Sequence, residues 1–371
     1  MKLLIVTKTL SEKDGQGRYS LGLIKELVVN HELTVLTSEM GDVLLPPSVK
    51  VVSIPNLLSI GKFWLGLKYF FIVKRYLKAN DVVHLFTDLP NYLVFSPLLF
   101  SRKCPYFITA HGTFSIGSLK SGWRRPILKW IFKRAKKVFC VSSFTKQKIY
   151  DLTGLNNLVV INNGVDFDRF DKMYQEIKTE DKRENHKTIV GVGAVKHRKG
   201  FEYAVKAMVL LKDKYPDFKY YIVGDQGNKK YVDNLKKIII TNNLSDNITL
   251  LENITDCDLV KLYTKADLFL FTPVNYKDIY FEGFGLVCLE AGVCETPVVG
   301  SLNCGVVDAV DDGVTGFLVP QKNPQKISQA IDKILSDSQL ADKMGKANRE
   351  FAHGLVWEKV AIKYNNYYES I

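Results

Sequence analysis

The chain has 371 residues, 46% hydrophobic and 24% charged, which is an ordinary globular composition. Its length exceeds what one hydrophobic core usually serves and so predicts two domains. No run of about 18 apolar residues occurs, which excludes a membrane-spanning helix. The six scattered cysteines contain no CxxC pair and are typical of reduced thiols in a cytosolic protein.

The formal net charge of +12 is unevenly distributed. Residues 1–170 contain 24 lysines and arginines against 11 acidic residues, a net charge of +13, whereas the remaining residues contain 27 against 28, a net charge of −1. This asymmetry predicts an anionic partner for the first half, either nucleic acid or a membrane surface with anionic lipids.

Short β-branched runs alternate with helix-length amphipathic segments along the chain. The start, "MKLLIVTKTL", has too short an apolar run for a signal peptide and is predicted to be the first strand. Thirteen strands are predicted, in "LLIVTK", "LTVLTS", "VKVVSIP", "DVVHLF", "PYFITA", "KKVFCVS", "NLVVINNG", "TIVGVGAV", "KYYIVGD", "NITLLEN", "DLFLFTP", "TPVVGS" and "TGFLV". Such alternation is typical of parallel sheets covered by helices on both faces.

The elements group into two Rossmann-like α/β domains, predicted at residues 1–170 and 188–353. Residues 171–187 are charged and lack an apolar period, so they are the predicted linker. Residues 354–371 contain one long predicted helix. Ligands of open parallel sheets bind at the carboxyl ends of the strands. We therefore expect the site in the loops that follow strands, in a cleft between the two sheets.

Two glycine-containing loops could hold phosphate. After the first strand, Gly15 and Gly17 give a tight turn and a helix is predicted from about Gly17, so free N–H groups would face an anion. The third glycine of a dinucleotide fingerprint is missing, and a plain strand–helix connection remains an alternative. In the second half, "KHRKG" places Lys196, Arg198 and Lys199 before a helix, where they would neutralise a diphosphate or form a solvated basic loop.

A third loop, "FEGFGLVCLE", carries two glutamates at the start of a predicted helix. Gly283 and Gly285 let the backbone approach a ligand, and the helix N-terminus presents N–H groups. Glu282 precedes the helix and Glu290, expected to be half-buried, lies within it. Both carboxylates suit the hydroxyls of a sugar or ribose. The alternative is that Glu282 caps the helix and Glu290 pairs with a lysine.

The segment "EGFGLVCLE" resembles the E-x7-E motif of the retaining glycosyltransferases of family 4. Nine more segments match that family in order: "GQGRYSLGLIKEL", "HGTF", "VSSFTKQKI", "INNGVDFDRF", "VKHRKG", "IVGDQG", "ADLFLFTP", "CETPVVGS" and "DDGVTGFLV". The resemblance covers nearly the whole chain. It implies the GT-B fold, with an acceptor-side first domain, a nucleotide-sugar-binding second domain, and a C-terminal helix that returns to the first.

The resemblance also implies residue roles. Glu282 would bind the transferred sugar beside the reacting carbon, and His111 would face that sugar. Gly17 and Lys199 would contact the donor diphosphate, and Glu290 would bind the ribose hydroxyls. The amides expected to hold sugar and phosphate are those around Phe284, Gly285 and Leu286.

One departure from the family concerns Ala194, where members often carry arginine. A second positive charge on the diphosphate would then come from Arg18, Lys196 or Arg198, three candidates that the sequence does not separate. The spacing Asp256-x-Asp258 is used by metal-dependent transferases of another fold, but here it starts a helix and predicts N-capping by Thr255 and Asp256. We expect neither a metal nor a cofactor, with a nucleotide diphosphate sugar as co-substrate.

The expected reaction is metal-independent transfer of a hexosyl-type group from that donor to an acceptor hydroxyl with anomeric retention. No second acid suits a double displacement, so front-face attack with the leaving phosphate as base is the hypothesis. A sugar-nucleotide epimerase or a noncatalytic nucleotide-sugar-binding protein remains an alternative. A nicotinamide-dependent dehydrogenase is not favoured, because it would need the complete glycine fingerprint, which this sequence lacks.

Two acid-free segments of the first half, residues 61–78 and 119–137, combine aromatic with basic residues. This composition is typical of interfacial helices on anionic lipid, although core-facing helices with a solvated basic side would share it. No nucleic-acid recognition motif accompanies the charge. We therefore expect a lipid-linked or glycan acceptor, and a cytoplasmic protein bound peripherally to the inner face of the cell membrane.

Overall fold

The structure is a computed structural model that describes residues 1–55, 57, 63–87, 98, 104–178 and 186–371. For residues 63–68 it describes the backbone only. It divides into two compact units. Unit 1 comprises residues 1–164 and 357–371, and unit 2 comprises residues 165–356. Among the described residues, no helix combines the length and the apolar character that crossing a membrane requires.

Unit 1 is built on a seven-stranded parallel sheet with the strand order β3-β2-β1-β4-β5-β6-β7. Its strands are β1 (Lys2–Leu10), β2 (Glu32–Met40), β3 (Lys50–Ser53), β4 (Val82–Leu85), β5 (Tyr106–Ala110), β6 (Val138–Cys140) and β7 (Leu158–Val160). Its described helices are Gly15–Leu27, Phe63–Ala79, Thr113–Leu119, Arg124–Arg134, Ser143–Thr153 and Trp357–Tyr368.

Unit 2 is built on a six-stranded parallel sheet with the order β10-β9-β8-β11-β12-β13. Its strands are β8 (Thr188–Val192), β9 (Lys219–Val223), β10 (Ile248–Leu251), β11 (Leu268–Phe271), β12 (Val298–Ser301) and β13 (Gly316–Val319). Its described helices are Phe167–Lys178, Phe201–Leu211, Lys229–Thr241, Asp256–Lys265, Leu286–Val293, Pro324–Leu335 and Ser338–Gly354.

All thirteen predicted strands are confirmed, because each is a short β-branched or aromatic run that a buried parallel sheet requires. Strands β4, β5, β11 and β12 are buried along their whole length. Helices cover the sheet faces and pack their apolar sides against them. In unit 2 the resulting core includes Phe201, Met208, Tyr220 and Leu270.

The C-terminal helix packs on unit 1, as the predicted return to the first domain requires. Trp357 lies against two glycines that leave no room for a side chain, since a Cβ on Gly22 or Gly164 would come within 2.2 or 2.7 Å of the indole. The Tyr364 hydroxyl also bonds to the Tyr19 hydroxyl at 3.0 Å. The helix is therefore an integral part of the unit 1 core.

The predicted linker 171–187 is wrong over residues 171–178, which belong to the helix Phe167–Lys178. Four residues are buried at helical spacing, and the first two of them precede the segment that was predicted to lack an apolar period: Phe167, Phe170, Tyr174 and Ile177. Its Asp171 forms an ion pair with Arg349 of unit 2. Residues 179–185 lie outside the described residues.

Candidate active site

Each sheet has one switch point, on either side of which the strands follow one another in opposite directions across the sheet. The loops beside these two points carry most of the predicted site residues. In unit 2 this switch point lies between β8 and β11, where Ile189 pairs with Leu268. In unit 1 it lies between β1 and β4, where Val6 pairs with Leu85. Open α/β sheets bind ligands beside such points, at the carboxyl ends of the strands.

The centre of the unit 2 site is an ion pair between Lys199 and Glu282. Lys199 Nζ donates to Glu282 Oε2 at 2.8 Å and lies 4.6 Å from the centre of the Phe271 ring. The two side chains are only 11% and 14% exposed. Gly200 has φ +71°, and a Cβ there would lie 1.9 Å from the Thr272 carbonyl oxygen. Glycine is therefore required for the chain to bring Lys199 to β11.

Arg198 binds the same carboxylate oxygen. Its Nη1 donates to Glu282 Oε2 at 2.6 Å and to the Phe281 carbonyl at 3.1 Å. Its own carbonyl accepts from the Val274 amide at 2.8 Å, which ties the loop after β8 to the loop after β11. One carboxylate oxygen thus accepts hydrogen bonds from two cationic side chains.

The electrostatics of this cluster favour an anion. Burial alone raises the pKa of Glu282, but the charges of Lys199 and Arg198 outweigh it and lower the pKa to about 2. Burial, helped by repulsion from Arg198, lowers the pKa of Lys199 despite Glu282. Burial and Arg198 likewise lower the pKa of the neighbouring Lys196. Glu282, joined by Asp225 at Lys196, thus offsets only part of the burial and repulsion that act on the two lysines.

A helix N-terminus adds to this positive potential. The helix Leu286–Val293 begins after Gly285, which has φ +103° and whose Cβ would lie 3.3 Å from the Phe271 ring. The first amides of a helix have no intrahelical acceptors and form the positive end of its dipole. The Gly305 amide donates to the Glu282 carbonyl at 2.8 Å and holds the loop before the helix. Phe284, Gly285 and Leu286 thus join Glu282 of the ion cluster to the start of this helix.

Glu290 lies within this helix, eight positions after Glu282 and in the second helical turn. It is 4% exposed, so it is more deeply buried than the half-buried position expected from its neighbours. Both acids of the E-x7-E segment are therefore removed from bulk solvent. Their predicted contacts with sugar and ribose stay predictions.

His111 lies at the carboxyl end of β5 in unit 1. Its Nε2 is 3.1 Å from the Phe86 carbonyl oxygen, which can only accept, so this nitrogen carries the proton. Gln16 Nε2 donates to the same carbonyl at 3.1 Å, and the Tyr19 ring stands edge-on to the imidazole at 4.8 Å. One carbonyl after β4 thus joins His111 to the glycine turn after β1.

The glycine turn differs from the expectation of free amides. The helix begins at Gly15, and the amides of Gln16 and Gly17 donate to Asp14 Oδ1 at 3.0 and 2.9 Å. A Cβ on Gly17 would lie 1.9 Å from the Ser11 carbonyl oxygen, so close packing with β1 already requires glycine. The expectation that the Gly17 amide is free for a ligand is wrong because the N-cap side chain occupies it.

Arg18 is also engaged within unit 1. Its Nε donates to the Glu12 carbonyl at 2.7 Å. Arg198, by contrast, lies on the same carboxylate as Lys199. Arg198 and Lys199 are adjacent in the chain, and the pairing of β8 with β11 brings Glu282 to both of them, whereas Arg18 lies beside the glycine turn of unit 1.

The capping interpretation of "TDCDLV" is confirmed, with one change of residue. Thr255 caps the helix Asp256–Lys265 and forms a capping box with Asp258, whose amide donates to Thr255 Oγ1 at 3.1 Å. Asp256, expected to share the cap, instead pairs with Arg169. In the described part of the chain, no group of three or more His, Cys, Asp or Glu residues is arranged to hold a metal ion.

Three further residues take part in these contacts although no sequence motif marks them: Phe271, Gln16 and Tyr19. Phe271 ends β11 and lies beside Lys199. Its position at the carboxyl end of a strand is the one feature of the sequence that could have indicated a site residue. Gln16 stands between the two glycines of the turn, where its side chain reaches Phe86. Tyr19 lies one helical turn further and is fully buried, so it looks like any core residue.

Solved structures with the same fold cover the whole chain. HepE of Anabaena, crystallised in complex with UDP, aligns with a TM-score of 0.82 at 20% identity over 100% of both chains. A glycosyltransferase of Rickettsia africae aligns with a TM-score of 0.81 at 21% identity, covering 99% of this chain and 98% of that one. The protein therefore has the GT-B fold, with two Rossmann-like parallel-sheet α/β domains.

Two family models match consecutive parts of the sequence. Residues 13–169 match Glycosyltransferase Family 4, and residues 173–351 match Glycosyl transferases group 1. Together they span both units, and the chain belongs to this glycosyltransferase family.

Named relatives agree with this assignment. An uncharacterised glycosyltransferase of Methanocaldococcus jannaschii is 28% identical over 78% of this chain and 76% of its own length. The capsular polysaccharide biosynthesis glycosyltransferase CapM of Staphylococcus aureus is 25% identical over 63% of this chain and 62% of its own length. A GDP-mannose-dependent phosphatidylinositol monomannoside mannosyltransferase of Mycolicibacterium smegmatis is 24% identical over 94% of this chain and 93% of its own length.

Proposed function

We propose that the protein transfers a hexosyl-type group from a nucleotide diphosphate sugar to an acceptor hydroxyl, with retention, in cell-surface polysaccharide or glycolipid biosynthesis. The observation that carries the proposal is the convergence of Lys199 and Arg198 on Glu282, immediately before a helix N-terminus. The relatives named for capsular polysaccharide and for a mannosylated phosphatidylinositol support the type of pathway. HepE, solved with UDP and with UDP-glucose, supports a UDP-sugar as the first donor to test.

The cationic cluster would bind the donor diphosphate. Lys199 and the amides from Phe284 to Leu286 would face its oxygens, and Glu290 would take the ribose hydroxyls. Arg198 would supply the second positive charge that Ala194 does not, because it already shares a carboxylate oxygen with Lys199. Lys196, in the same loop, would add long-range attraction.

The reaction would proceed on one face of the sugar. As the bond from the anomeric carbon to the diphosphate oxygen breaks, positive charge develops on the sugar ring and negative charge on the leaving group. The acceptor oxygen would attack the same face, and its proton would pass to the departing phosphate oxygen. The new glycosidic bond would then keep the original anomeric configuration.

The protein would stabilise both developing charges. Glu282, held ionised by its lowered pKa, would orient the sugar hydroxyls and stabilise the cationic ring. Lys199, Arg198 and the helix dipole would meet the charge on the leaving diphosphate, and each such preorganised donor is typically worth about 3 kcal/mol. His111 would contact the transferred sugar.

These cations replace a metal ion in the proposal, and no cofactor takes part. The acceptor would be lipid-linked or another glycan precursor. We place the reaction at the cytoplasmic face of the cell membrane, because a lipid-linked acceptor is held in the bilayer and the basic half of the chain is complementary to anionic lipid. Nucleic acid is the less favoured partner because no recognition motif accompanies the charge.

A donor screen tests the proposal. Purified protein is incubated with UDP- and GDP-sugars and a membrane lipid extract, with and without EDTA, and nucleotide diphosphate release is measured. We expect lipid-dependent release from one donor that survives EDTA, and NMR of the product should show the donor's anomeric configuration. Glu282→Gln should lose this activity, whereas Glu350→Gln, an exposed acid on the helix Ser338–Gly354, should keep it.

The alternatives give different results in the same screen. An epimerase would convert its donor without any lipid acceptor, and a noncatalytic binding protein would bind a nucleotide without releasing product. Release that EDTA abolishes, or a product of inverted configuration, would contradict the proposed mechanism.

A further inference from the structure

Unit 1 carries an exposed aromatic stripe on one face of the helix Arg124–Arg134 and the residue before it. Trp123, Ile127 and Trp130 recur at intervals of four and three positions, which places them on one helical face. They are 61%, 37% and 37% exposed. The helix is held in the fold by a different face, on which Leu128, Ile131 and Phe132 are fully buried. The stripe is therefore additional to the apolar surface that the fold uses.

Positive charge borders this stripe. Lys129 and Lys133 are exposed one turn apart on the same helix, and Arg125 is exposed at its start. The guanidinium of Arg124 lies 4.9 Å from the centre of the Trp123 ring. No acidic residue occurs between residues 119 and 137. The helix thus presents three faces, which are core-facing, exposed aromatic and exposed basic.

We propose that this aromatic-basic face docks on a lipid bilayer that contains anionic lipids. Tryptophan rings bury in the headgroup region while lysine side chains extend beside them to the lipid phosphates. The charge is complementary to an anionic surface, and a protein partner with an acidic groove would not need two exposed indoles. The inference gives a location to the membrane partner named in the proposed function and rests on that proposal for its purpose.

Vesicle binding tests the inference without donor or acceptor, so its failure is distinct from failure of the catalytic proposal. The full-length protein is sedimented with vesicles of phosphatidylcholine alone and of equimolar phosphatidylcholine and phosphatidylglycerol. We expect binding to the anionic vesicles only, weakened by salt. Each lysine near an anionic surface contributes about fivefold to binding, so Lys129→Gln with Lys133→Gln should weaken it roughly 25-fold.

The aromatic contribution has its own variant and matched controls. Trp123→Ser with Trp130→Ser should weaken binding by roughly tenfold or more, because both rings leave water on docking. Ile240 is 64% exposed in unit 2, and Ile240→Ser should bind like the unchanged protein. Lys236→Gln with Lys237→Gln removes two exposed charges from the same unit 2 helix and controls for net charge.

Four results would overturn the inference. The first two are absence of binding to anionic vesicles and equal binding to both vesicle types. The third is an unchanged vesicle affinity of the double tryptophan variant when circular dichroism shows its fold to be intact. The fourth is a loss of vesicle affinity in the unit 2 control variants equal to that in the unit 1 variants. Two other occupants of this face are tested separately: light scattering measures self-association with a second copy of the chain, and a mixed-sequence DNA duplex measures binding to nucleic acid. Self-association or DNA binding that the tryptophan variant abolishes, with vesicle binding retained, would assign the face to a second copy or to nucleic acid instead.

Discussion

The substitution Glu282→Gln removes the charge that holds the ion cluster together while keeping the shape of the side chain. Because Lys199 and Arg198 lower the pKa of Glu282 from its ordinary 4.5 to about 2, ionised Glu282 stabilises the folded state at neutral pH. At 1.36 kcal/mol per pKa unit, this contribution is about 3 kcal/mol. The substitution should therefore lower the free energy of unfolding of unit 2 by about that amount at pH 7.

The pH dependence has a definite sign. A carboxyl group whose pKa is lower in the folded state stabilises the fold above its unfolded pKa, and this stabilisation is lost as the pH falls toward the folded pKa. The difference between the unchanged protein and Glu282→Gln should thus be full at pH 7 and shrink to about 1 kcal/mol at pH 3. A difference that grew on acidification would refute the direction of the pKa shift.

Urea unfolding can measure this effect with an internal control. All four tryptophans lie in unit 1, so tryptophan fluorescence follows unit 1 whereas far-ultraviolet circular dichroism follows both units. With a slope of about 2 kcal/mol/M, the unit 2 transition should move by roughly 1.5 M and the fluorescence transition should stay in place. An unchanged unit 2 midpoint, or equal shifts in both signals, would show that the ion cluster does not stabilise unit 2 in this way.

The same variant separates stability from ligand binding. If the cluster receives the donor as proposed, an incoming diphosphate competes in the unchanged protein with Glu282 for Lys199 and Arg198. Without the carboxylate charge, both cations are available to the ligand. Pyrophosphate, UDP and GDP should then be compared by calorimetry, and the ligand that binds should bind Glu282→Gln at least tenfold more tightly, or about 1.4 kcal/mol. Equal or weaker binding would show that the cations do not receive the diphosphate.

Four further substitutions test individual contacts. Lys199→Ala should lower kcat by about 10²–10³ in the donor-release assay, because it removes one preorganised donor to the leaving group, and an unchanged kcat would remove Lys199 from the mechanism. Arg198→Ala should lower kcat/KM by about tenfold or more, whereas Arg18→Ala, in the turn of unit 1, should have the smaller effect; the reverse order would assign the second charge to Arg18. Trp357→Ala should destabilise unit 1 by about 3–5 kcal/mol because the indole fills the space above two glycines, and thermal unfolding with an unchanged midpoint would contradict this packing role.

The strands were predictable because a buried parallel strand is a local pattern of short apolar runs. The helix Phe167–Lys178 was not predicted, because its apolar period begins at Phe167 and Phe170 and the charged segment from Asp171 onward shows too little of that period by itself. Its burial also depends on unit 2 residues such as Arg349, which are distant in sequence. A boundary between domains is therefore less visible in the sequence than the elements on either side of it.

The site was predictable as separate loops but not as a cluster. Lys199 and Glu282 are 83 positions apart, and their contact follows from the adjacency of β8 and β11, which the pattern of each strand does not contain. The sequence likewise does not show that Arg198 shares this carboxylate whereas Arg18 bonds within the turn of unit 1. The Gly17 amide shows the opposite problem, because a glycine turn before a helix suggests an anion site even where an N-cap aspartate already occupies the amide.

The cost of the unit 2 cluster is itself an argument for a ligand. Removing charged groups from water is unfavourable, and a buried ion pair is often no more stabilising than well-packed apolar residues of the same volume. Here two cations share one carboxylate oxygen, and burial, helped by repulsion from Arg198, lowers the pKa of Lys199 even beside Glu282, so the cost of removing this charge from water is only partly offset within the cluster. A fold shaped only for stability would not gain from that arrangement. A dianionic diphosphate at the adjacent helix N-terminus would balance the charge and turn an unfavourable feature of the ligand-free protein into binding free energy for the donor.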